Sequence, residues 1–557
     1  MLRVSRPDVH ATIVTGSLRR WRAAQSVLLL SLSVFGASRL GAVGHLSGVT
    51  VARPRTDHVH RRELPAEIRL GDVRTLRAYA VSGVRQIAVI VVDFSDQRFL
   101  PGWHTANNIV FSSFTYYFHQ NSGGMFAPRV VFFHQGGSST GPLTGAEVPF
   151  RMPQPMAYYG ADTVQRHAQL IREALLAAGG AVARPAYDHV MVLHAGAGNE
   201  STDTDADIWS AYTIWGYPVV HGFDDGTIVP ERQQGASGLG VVCHEYGHQI
   251  GLPDLYRTVV YQSSFSQHAV VGAWCLMDSG AWTGMPPGSH PVHLSAWCKL
   301  FMGWLSVRTY GASATGVSLA SVERSREGIR IPVLSGTDPS KEYLLAEYRE
   351  CSGFNVSLPG PGMLLWRVDD AVALSPERLA ANSINGDPSH YGVDLIEADR
   401  MPVSNALPAT PGNPFPGSTG AVTFFTEDYG ITAFNGSPFP LKLLAITTAP
   451  ASVSFDIELE FRVRDVPLHS FVVGNNVTEP GRLMLLGFNL VEQDTVKVGV
   501  FDVRGNRVVR FEGEFPAGPG QFMWFGTDEH GAVLPHGLYF VHFSTRRNQQ
   551  TLRVILR

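Results

Sequence analysis

The sequence predicts a mixed α/β (α+β) domain, followed by a β-rich domain and a C-terminal β-sandwich. Three observations lead to this fold class. Buried β-branched runs alternate with a helical pattern in the N-terminal half, short strands with Gly/Pro turns follow, and the last part alternates apolar with polar residues. A chain of 557 residues is too long for one ordinary core, since single domains usually hold roughly 100 to 200 residues. We therefore expect two or three folded units.

The N-terminal region has the order of a secretory signal peptide. Several arginines precede an apolar run at residues 26–37, and small residues follow it. The run is well short of the roughly 18 residues needed to cross a bilayer. We expect residues 1–45 to form the signal peptide region and residues 46–80 a propeptide or linker, so that the protein is secreted or lies on the cell surface without a stable membrane span.

The first folded domain is predicted over residues 81–310. The run QIAVIVVDF at residues 86–94 is continuously apolar and β-branched, which is typical of a strand buried on both faces. HAQLIREALLAAG at residues 167–179 has helical spacing and a glycine stop. HVMVLHAG at residues 189–196 predicts a second buried strand. Strand, helix and strand in this order predict an α/β domain.

Two β-structured domains are predicted after this one. Residues 311–460 contain strand patterns such as EYLLAEYRE and GMLLWRVDD, and we expect this β-rich domain to pack on the first domain. Residues 461–557 alternate apolar with polar residues between turns such as VRGN and PHGLY. That spacing predicts a small immunoglobulin-like β-sandwich.

Charge and cysteine content exclude some classes of function. A formal net charge of -4 provides no basic field for phosphates, so no nucleic-acid partner is expected. The four cysteines lack C-x-x-C spacing, which argues against a cysteine zinc site or a thioredoxin-like motif and leaves one or two disulfides open. Cys243 is interpreted as a small buried apolar residue on the inner face of a helix.

The segment HEYGHQIGLPDLY carries the pattern with the clearest chemistry. His244 and His248 are four residues apart, so on a helix both imidazoles project from one face and can share one metal ion. Glu245 lies beside them, where it can take a proton from a water that zinc has acidified. The apolar run at residues 238–242 supports the helix, because it buries the opposite face.

The third metal ligand is predicted to be Asp254. Gly251 lets the chain turn sharply after the helix, and Asp254 then returns a carboxylate toward the ion. It stands where metzincins carry a third histidine. Thermolysin-like enzymes use a later glutamate instead, but this chain has no glutamate between Glu245 and Glu323. The alternatives to Asp254 are His268, His290, His293 and a distant glutamate.

Met277 lies about thirty residues further on, in the glycine-flanked segment GAWCLMDSGAWTG. The segment resembles the Met-turn of metzincins, in which a methionine packs beneath the zinc-binding histidines. Three protein ligands leave a fourth position open, as a catalytic zinc requires. The whole constellation predicts a metzincin-like zinc protease domain that holds one catalytic zinc ion.

Six segments, in this order, resemble the immune inhibitor A family of bacterial secreted metallopeptidases. The resemblance covers about residues 85–460. It implies His244 and His248 as zinc ligands, Glu245 as base and endopeptidase activity on extracellular proteins. The segments are VRQIAVIVVDFSD, YDHVMVLHAGAGNES, HEYGHQIGLPDLY, VGAWCLMDSGAWTG, HLSAWCKLFMGWL and PGMLLWRVDD.

The same family often binds structural calcium, and one acidic loop is a candidate for it. In NESTDTDADIW, Glu200, Asp203, Asp205 and Asp207 offer hard oxygen ligands. The loop lacks the glycine at position six of an EF-hand, so a solvated acidic loop is an equally good interpretation. The last domain is similar to the immunoglobulin-like domain of flagellar hook-capping proteins, which at the ends of secreted enzymes can serve as a sorting or surface-attachment tail.

These features predict a secreted zinc endopeptidase that hydrolyses peptide bonds of extracellular proteins, with Glu245 as general base. The expected partners are protein or peptide substrates and, through the C-terminal domain, secretion or surface-attachment machinery. The alternative from another class is a non-catalytic surface or adhesion protein that retains a metal site. Proteolysis of casein with and without a zinc chelator separates the two.

Overall fold

The structure is a computed structural model of the whole chain. The predicted signal peptide region, residues 1–45, and the predicted propeptide or linker, residues 46–80, lie outside the residues that it describes. The described residues are 81–160, 164–261, 264–335, 338, 341–459, 471–473, 477–478, 480 and 484–557.

A seven-stranded sheet forms the centre of the first region. Its strand order is β3-β2-β1-β5-β7-β6, and β4 also pairs with β1. The pairs β1/β2, β1/β4, β1/β5 and β5/β7 are parallel, whereas β3 and β6 run antiparallel to their neighbours. The strands are β1 (Gly83–Asp93), β2 (Phe126–His134), β3 (Gly137–Ser139), β4 (Phe150–Arg151), β5 (His189–Ala197), β6 (Ala211–Ile214) and β7 (Asp225–Arg232).

Helices cover both faces of this sheet. Alternate residues of β1 enter two different cores: Val89 belongs to one and Ile90 to the other, and both are fully buried. The helix Trp103–Asn121 and the helix Leu239–Gln249 pack in the first core, and Val164–Ala178 packs in the second. Burial on both faces explains the continuous apolar runs, and it confirms the α/β prediction for this region.

The predicted elements of this region are present with small shifts at their ends. The strand predicted at residues 86–94 is β1, and the one predicted at residues 189–196 is β5. The helix predicted at residues 167–179 begins three residues earlier, at Val164. The α-helices of the described residues are Trp103–Asn121, Met156–Tyr159, Val164–Ala178, Asn199–Thr202, Leu239–Gln249, Ala296–Phe301, Asp370–Ala373 and Pro376–Ala380.

Two further sheets follow a small hairpin of β8 (Arg257–Tyr261) and β9 (Ser264–His268). Their facing side chains share one apolar core. The five-stranded sheet is ordered β10 (Ser306–Thr309), β12 (Glu327–Pro332), β13 (Glu342–Arg349), β14 (Gly362–Asp369) and β15 (Val393–Ile396). The four-stranded sheet is ordered β11 (Ala314–Ala320), β18 (Ser452–Leu459), β17 (Leu441–Ala449) and β16 (Phe424–Phe425).

The five-stranded sheet contacts the first region with its other face. Leu344 of β13 enters the core between the two sheets, while its neighbour Leu345 joins the core that contains the helix Leu239–Gln249. Trp366 of β14 belongs to the same core as Leu345. Both faces of this five-stranded sheet therefore carry apolar side chains and are buried. The boundaries at residues 310 and 460 stay predictions.

The C-terminal region is a sandwich of two sheets around a separate core. Phe488 of one sheet and Val498 of the other both lie fully buried in that core. The three-stranded sheet is ordered β19 (Phe471–Val473), β21 (Met484–Leu490) and β24 (Gly518–Trp524). The five-stranded sheet is ordered β20 (Val477–Thr478), β26 (Gln549–Leu556), β25 (Gly537–Ser544), β22 (Asp494–Phe501) and β23 (Arg507–Phe515). Among the described residues, no helix has both the length and the apolar character that a membrane span requires.

Candidate metal centre

The helix Leu239–Gln249, called the histidine helix below, is buried along its whole length. The ring of Tyr246 packs edge-to-face on Phe114 and Phe118 of the neighbouring helix. Close packing on its other side needs a glycine, because a Cβ at Gly240 would lie only 1.8 Å from the carbonyl oxygen of Ala281. The apolar and small residues that predicted this helix thus bury it and let it pack closely inside the domain.

The chain reverses direction directly after the histidine helix. Gly251 has a φ of 107°, a conformation that side chains rarely permit. The amide of Gly251 donates to the His248 carbonyl, and the amide of Leu252 donates to the Gly247 carbonyl. This turn carries Asp254 back to the face of the helix on which the two histidines lie.

Three buried side chains converge at this point. The distance from Asp254 Oδ1 to His244 Nε2 is 3.1 Å, and to His248 Nε2 it is 3.2 Å. One ligand atom from each residue lies within 4.8 Å of the other two, and this is the sole group of three or more such residues among those the structure describes. Donors bound tetrahedrally to zinc at about 2.0–2.1 Å are roughly 3.3 Å apart. The spacing therefore fits a zinc ion.

Backbone carbonyls set the orientation of both imidazoles. His244 Nδ1 lies 2.9 Å from the Leu276 oxygen, and His248 Nδ1 lies 2.8 Å from the Leu252 oxygen. A carbonyl only accepts, so each Nδ1 carries the proton and each Nε2 presents a lone pair toward Asp254. Three electron-rich atoms that face one another under burial are stabilised by a cation or a shared proton between them. The donor set is that of a metal site.

Burial and neighbouring charge change the acidity of these groups. Burial lowers the pKa of His244 below its ordinary value, although Asp254 opposes the shift. Burial would raise the pKa of Asp254, but the two histidines outweigh it and the pKa is lowered. His244 is therefore favoured as neutral and Asp254 as anionic, which are the forms that bind a metal ion.

Glu245 lies between the two histidines in sequence and is fully buried. Its Oε2 accepts a hydrogen bond of 2.7 Å from the backbone amide of Tyr212, on the edge strand β6. Its Oε1 is buried and has no hydrogen-bond partner among the described residues. Burial, together with the charge of Asp254, raises the pKa of Glu245 well above its ordinary value. Such a carboxylate is able to accept and hold a proton.

Met277 packs against the histidine helix from the side of the turn. A Cβ at Gly247 would lie 2.8 Å from Met277 Sδ, so the absence of a side chain at Gly247 lets the methionine approach. The Met277 carbonyl accepts from the amide of Leu255, which places Met277 next to the segment of Asp254. The structure thus brings the predicted Met-turn residue against the helix of both histidines.

The turn itself is organised by a buried carboxylate. Asp278 Oδ2 accepts hydrogen bonds of 3.0 Å from three successive amides, those of Val270, Val271 and Gly272. Burial raises the pKa of Asp278 to about 6, against the effect of these bonds. The loop before Met277 is therefore folded around one side chain.

The alternatives for the third ligand lie elsewhere. His268 and His290 are exposed. His293 is buried, but its Nδ1 is 3.0 Å from Lys299 Nζ. Glu323 accepts hydrogen bonds from the amide of Glu350 and from Asn355. Within the described residues none of them joins His244 and His248 in a metal-binding group.

The candidate calcium loop is arranged differently from a metal site. Glu200 is buried, and its carboxylate accepts from Ser210 and from Gln233. Asp207 accepts from Thr202, whereas Asp203 and Asp205 are exposed. Among the described residues these four carboxylates do not form a metal-binding group. Calcium stays a prediction of the family resemblance.

All four cysteines are free thiols in the structure. Cys243 is fully buried in the histidine helix, as its position predicted. Cys275 Sγ lies 3.9 Å from Cys298 Sγ, next to the segment of Met277. The disulfides that the sequence left open are not formed.

Three partners at the site were not predicted from the sequence. Asn382 hydrogen-bonds to Asp254 across 128 residues. Tyr212 contributes only its backbone amide. Tyr256 follows Asp254 closely, and burial together with the charge of Asp254 and a hydrogen bond to it raises the pKa of Tyr256 well above its ordinary value. The tyrosine near Asp254 was the one that local sequence could have indicated.

Comparison with known proteins points to the same segment. Residues 180–308 match the family model described as immune inhibitor A peptidase M6, catalytic domain. The pre-pro-metalloprotease PrtV of Vibrio cholerae serotype O1 is 34% identical over 132 residues, which are 21% of this chain and 14% of that protein. Immune inhibitor A of Bacillus thuringiensis subsp. alesti is 31% identical over 161 residues, 26% of this chain and 22% of that protein. The chain thus spans less than a quarter of either relative.

Similarity to solved structures is weak. FlgD from P. aeruginosa is 27% identical, with 15% of this chain and 71% of that chain covered and a TM-score of 0.13. OgpA from Akkermansia muciniphila is 9% identical, with 86% and 93% covered and a TM-score of 0.24. Residues 180–308, which contain the three converging side chains, are similar to the catalytic domain of immune inhibitor A peptidases. Of the two relatives, PrtV is named a pre-pro-metalloprotease.

Proposed function

We propose that this chain is a secreted zinc-dependent endopeptidase that cleaves peptide bonds of extracellular proteins. One observation carries the proposal: His244 Nε2, His248 Nε2 and Asp254 Oδ1 converge inside the protein, next to the buried Glu245. The match of residues 180–308 to a peptidase M6 catalytic domain supports it, as does the similarity to the pre-pro-metalloprotease PrtV and to immune inhibitor A.

The two histidines and Asp254 are the residues that would hold the zinc ion. Two imidazole nitrogens and a carboxylate oxygen form a donor set that zinc accepts, and three protein ligands leave a position open for catalysis. When bound, zinc supplies Lewis-acid chemistry that polarises the scissile carbonyl and acidifies water. The carbonyls of Leu276 and Leu252 keep the imidazoles in the ligating orientation.

Glu245 is proposed as the general base. The amide of Tyr212 fixes Oε2, so that Oε1 remains available to take the proton of the attacking water. Burial raises the pKa of Glu245, which favours retention of this proton until it passes to the leaving amine. The same carboxylate then returns to its anionic form for the next turnover.

A metzincin-like arrangement is proposed for the site. Met277 packs on the helix at Gly247, and Gly251 turns the chain so that Asp254 takes the place of the third metzincin histidine. The proposed third metal ligand, Asp254, follows His248 by only six residues. This short return supports a site built from one helix and one turn.

Export and attachment are proposed for the two ends of the chain. The signal peptide pattern within residues 1–45 supports secretion. The β-sandwich from Phe471 onward has its own core, which fits an independent tail for sorting or surface attachment. Structural calcium at the loop from Glu200 to Asp207 is a further proposal, which rests on the family resemblance.

Proteolysis by the Glu245→Gln variant tests the proposed function. The variant is expected to bind zinc like the wild type and to lose casein cleavage by roughly 10²- to 10⁴-fold, the usual contribution of a general base. Glu397→Gln is a matched control, because it also replaces a largely buried carboxyl group with an amide but lies outside the metal centre. Chelator-sensitive cleavage that persists in Glu245→Gln would exclude the assigned base. A wild type that cleaves nothing with or without chelator would favour the non-catalytic surface or adhesion protein.

A further inference from the structure

Asp254 is held by a residue from the β-rich region. The backbone amide of Asp254 donates to Asn382 Oδ1 over 2.7 Å, and Asn382 Nδ2 donates to Asp254 Oδ2. One side-chain amide thus binds both the main chain and the carboxylate of the same residue. Both residues are buried, with exposed fractions of 1% for Asp254 and 8% for Asn382.

This pair of hydrogen bonds decides which carboxylate oxygen faces the histidines. With Oδ2 engaged by Asn382, Oδ1 is the oxygen that lies 3.1 and 3.2 Å from the two imidazole nitrogens. Anchoring the amide and the carboxylate together also fixes rotation about the Cα–Cβ bond of Asp254. Residues that orient a metal ligand in this way commonly change metal affinity when they are replaced.

A neutral amide is the suitable chemical group at this position. A carboxylate at position 382 would set a second negative charge beside Asp254 under burial, and an apolar side chain would leave the amide and Oδ2 of Asp254 without these partners. Asn382 also has a φ of 48°, in the left-handed region that asparagine tolerates better than most residues. Both its side chain and its backbone conformation therefore suit the role.

The surrounding loop holds Asn382 in place. The amide of Asn382 donates to the Leu379 carbonyl, at the end of the helix Pro376–Ala380. Three residues later, Asn385 Nδ2 donates to the carbonyls of Leu255 and Val393. The loop is thus attached to the segment of Asp254 at two points, of which only Asn382 contacts the ligand itself.

We propose that Asn382 is a positioning residue of the metal centre, which presents Asp254 Oδ1 to the ion from outside the segment that matches the peptidase catalytic domain. This inference rests on the proposed function, since it assigns a role toward the same zinc site. Residue 382 lies beyond the matched residues 180–308. The metal centre accordingly includes part of the β-rich region.

Metal binding by full-length variants tests this role. Asn382→Gly removes both hydrogen bonds while glycine accepts the left-handed backbone. We expect its zinc affinity, measured by competition with a chelating dye, to fall roughly 10- to 100-fold. The visible absorption spectrum of the cobalt(II)-substituted protein is expected to change as well, because it reports ligand geometry. Asn382→Asp, which keeps the acceptor but not the donor, is a second variant and is expected to weaken zinc binding too.

Asn385→Ala is the matched control, because it loosens the same loop without contact to Asp254. It is expected to lower stability to urea and to leave zinc affinity and the cobalt spectrum unchanged. Unchanged zinc affinity and cobalt spectrum in folded Asn382→Gly or Asn382→Asp would overturn the positioning role and leave the proposed function standing. A wild type that binds neither zinc nor cobalt would overturn both.

Discussion

The Leu276 carbonyl oxygen lies 2.9 Å from His244 Nδ1, so the residue before Met277 orients the first histidine of the metal centre. The turn and the histidine helix therefore act as one unit. The same turn places Met277 against Gly247, and its Met277 carbonyl accepts a hydrogen bond from the amide of Leu255. Substitutions in this turn are expected to reach the metal through backbone contacts.

Removal of zinc is expected to destabilise the protein. A ligand that binds only the folded state at a free concentration a hundredfold above its Kd stabilises by about 2.7 kcal/mol. Urea unfolding with zinc and with excess chelator measures this difference. Asp254→Asn keeps the shape of the ligand but removes its charge, so the difference is expected to shrink. The conservative change Asp207→Asn, in the acidic loop, is the control and is expected to retain it. Equal stabilisation by zinc in Asp254→Asn would argue against Asp254 as a ligand.

Gly247→Ala is expected to disturb the contact between the histidine helix and Met277. The new Cβ would lie 2.8 Å from Met277 Sδ, and overpacking of this kind costs about 1–3 kcal/mol. Zinc affinity is expected to fall with it, because the helix carries both histidines. Gly238→Ala is the control at the start of the same helix, where a Cβ meets nothing within 4 Å. Urea unfolding and zinc competition of both variants check the prediction, and equal behaviour of the two would contradict it.

Glu397→Gln is expected to become more stabilising as pH rises. Burial raises the pKa of Glu397 from 4.5 to about 8, although its hydrogen bond from the amide of Val403 opposes the shift. The folded protein thus binds a proton that the unfolded chain releases between these values, and stability from this group is present below about pH 4.5 and lost toward pH 8. Glutamine has no such loss. One pKa unit corresponds to about 1.4 kcal/mol.

We therefore expect the variant to exceed the wild type by at least about 1 kcal/mol at pH 8, with a much smaller difference at pH 5. Urea unfolding at both pH values measures this. Because glutamine can still accept the bond from Val403, packing is conserved in the comparison. A difference that is constant with pH would refute the shifted pKa of Glu397.

Glu347→Gln is expected to be strongly destabilising. Its carboxylate forms two hydrogen bonds of 2.9 Å with Arg349, and neither side chain is exposed. It also accepts from Trp366 and from the amide of Ala296. Loss of one partner of a buried ion pair leaves the other charge uncompensated, at a cost of about 3–5 kcal/mol.

The control for this pair is Glu350→Gln on the same segment of chain. Glu350 pairs with Arg324, whose side chain is 66% exposed, and pairs of this kind contribute little. Thermal or urea unfolding of both variants is the measurement. A loss of stability in Glu350→Gln as large as that in Glu347→Gln would show that burial does not determine how much an ion pair contributes to stability.

Sequence predicted the parts of the site whose geometry is local. His244 and His248 share a face because a helix repeats every 3.6 residues, and Gly251 announced a turn that needs a left-handed backbone. The buried strands β1 and β5 could also be predicted from the sequence, since burial on both faces selects continuous apolar runs. These features depend only on residues a few positions away in the chain or on burial in the core, and both leave a pattern in the sequence.

Long-range and backbone contacts escaped prediction. Asn382 is an ordinary loop residue in the sequence, and only the fold brings it to Asp254. Tyr212 acts through a main-chain amide that any residue except proline provides. His293 is a residue type that can bind a metal ion, but the fold places its imidazole against Lys299. Residue identity alone does not encode such neighbours.

The contact between Asp254 and Asn382 makes the local helix-and-turn segment depend on a distant part of the chain. The two residues are 128 positions apart, so a nascent chain that has emerged only through the histidine helix lacks the side chain that orients its aspartate. Local helix formation is much faster than the closure of long-range contacts. The arrangement of Asp254 seen in the folded protein is therefore complete only when the chain has folded through residue 382, in the β-rich region.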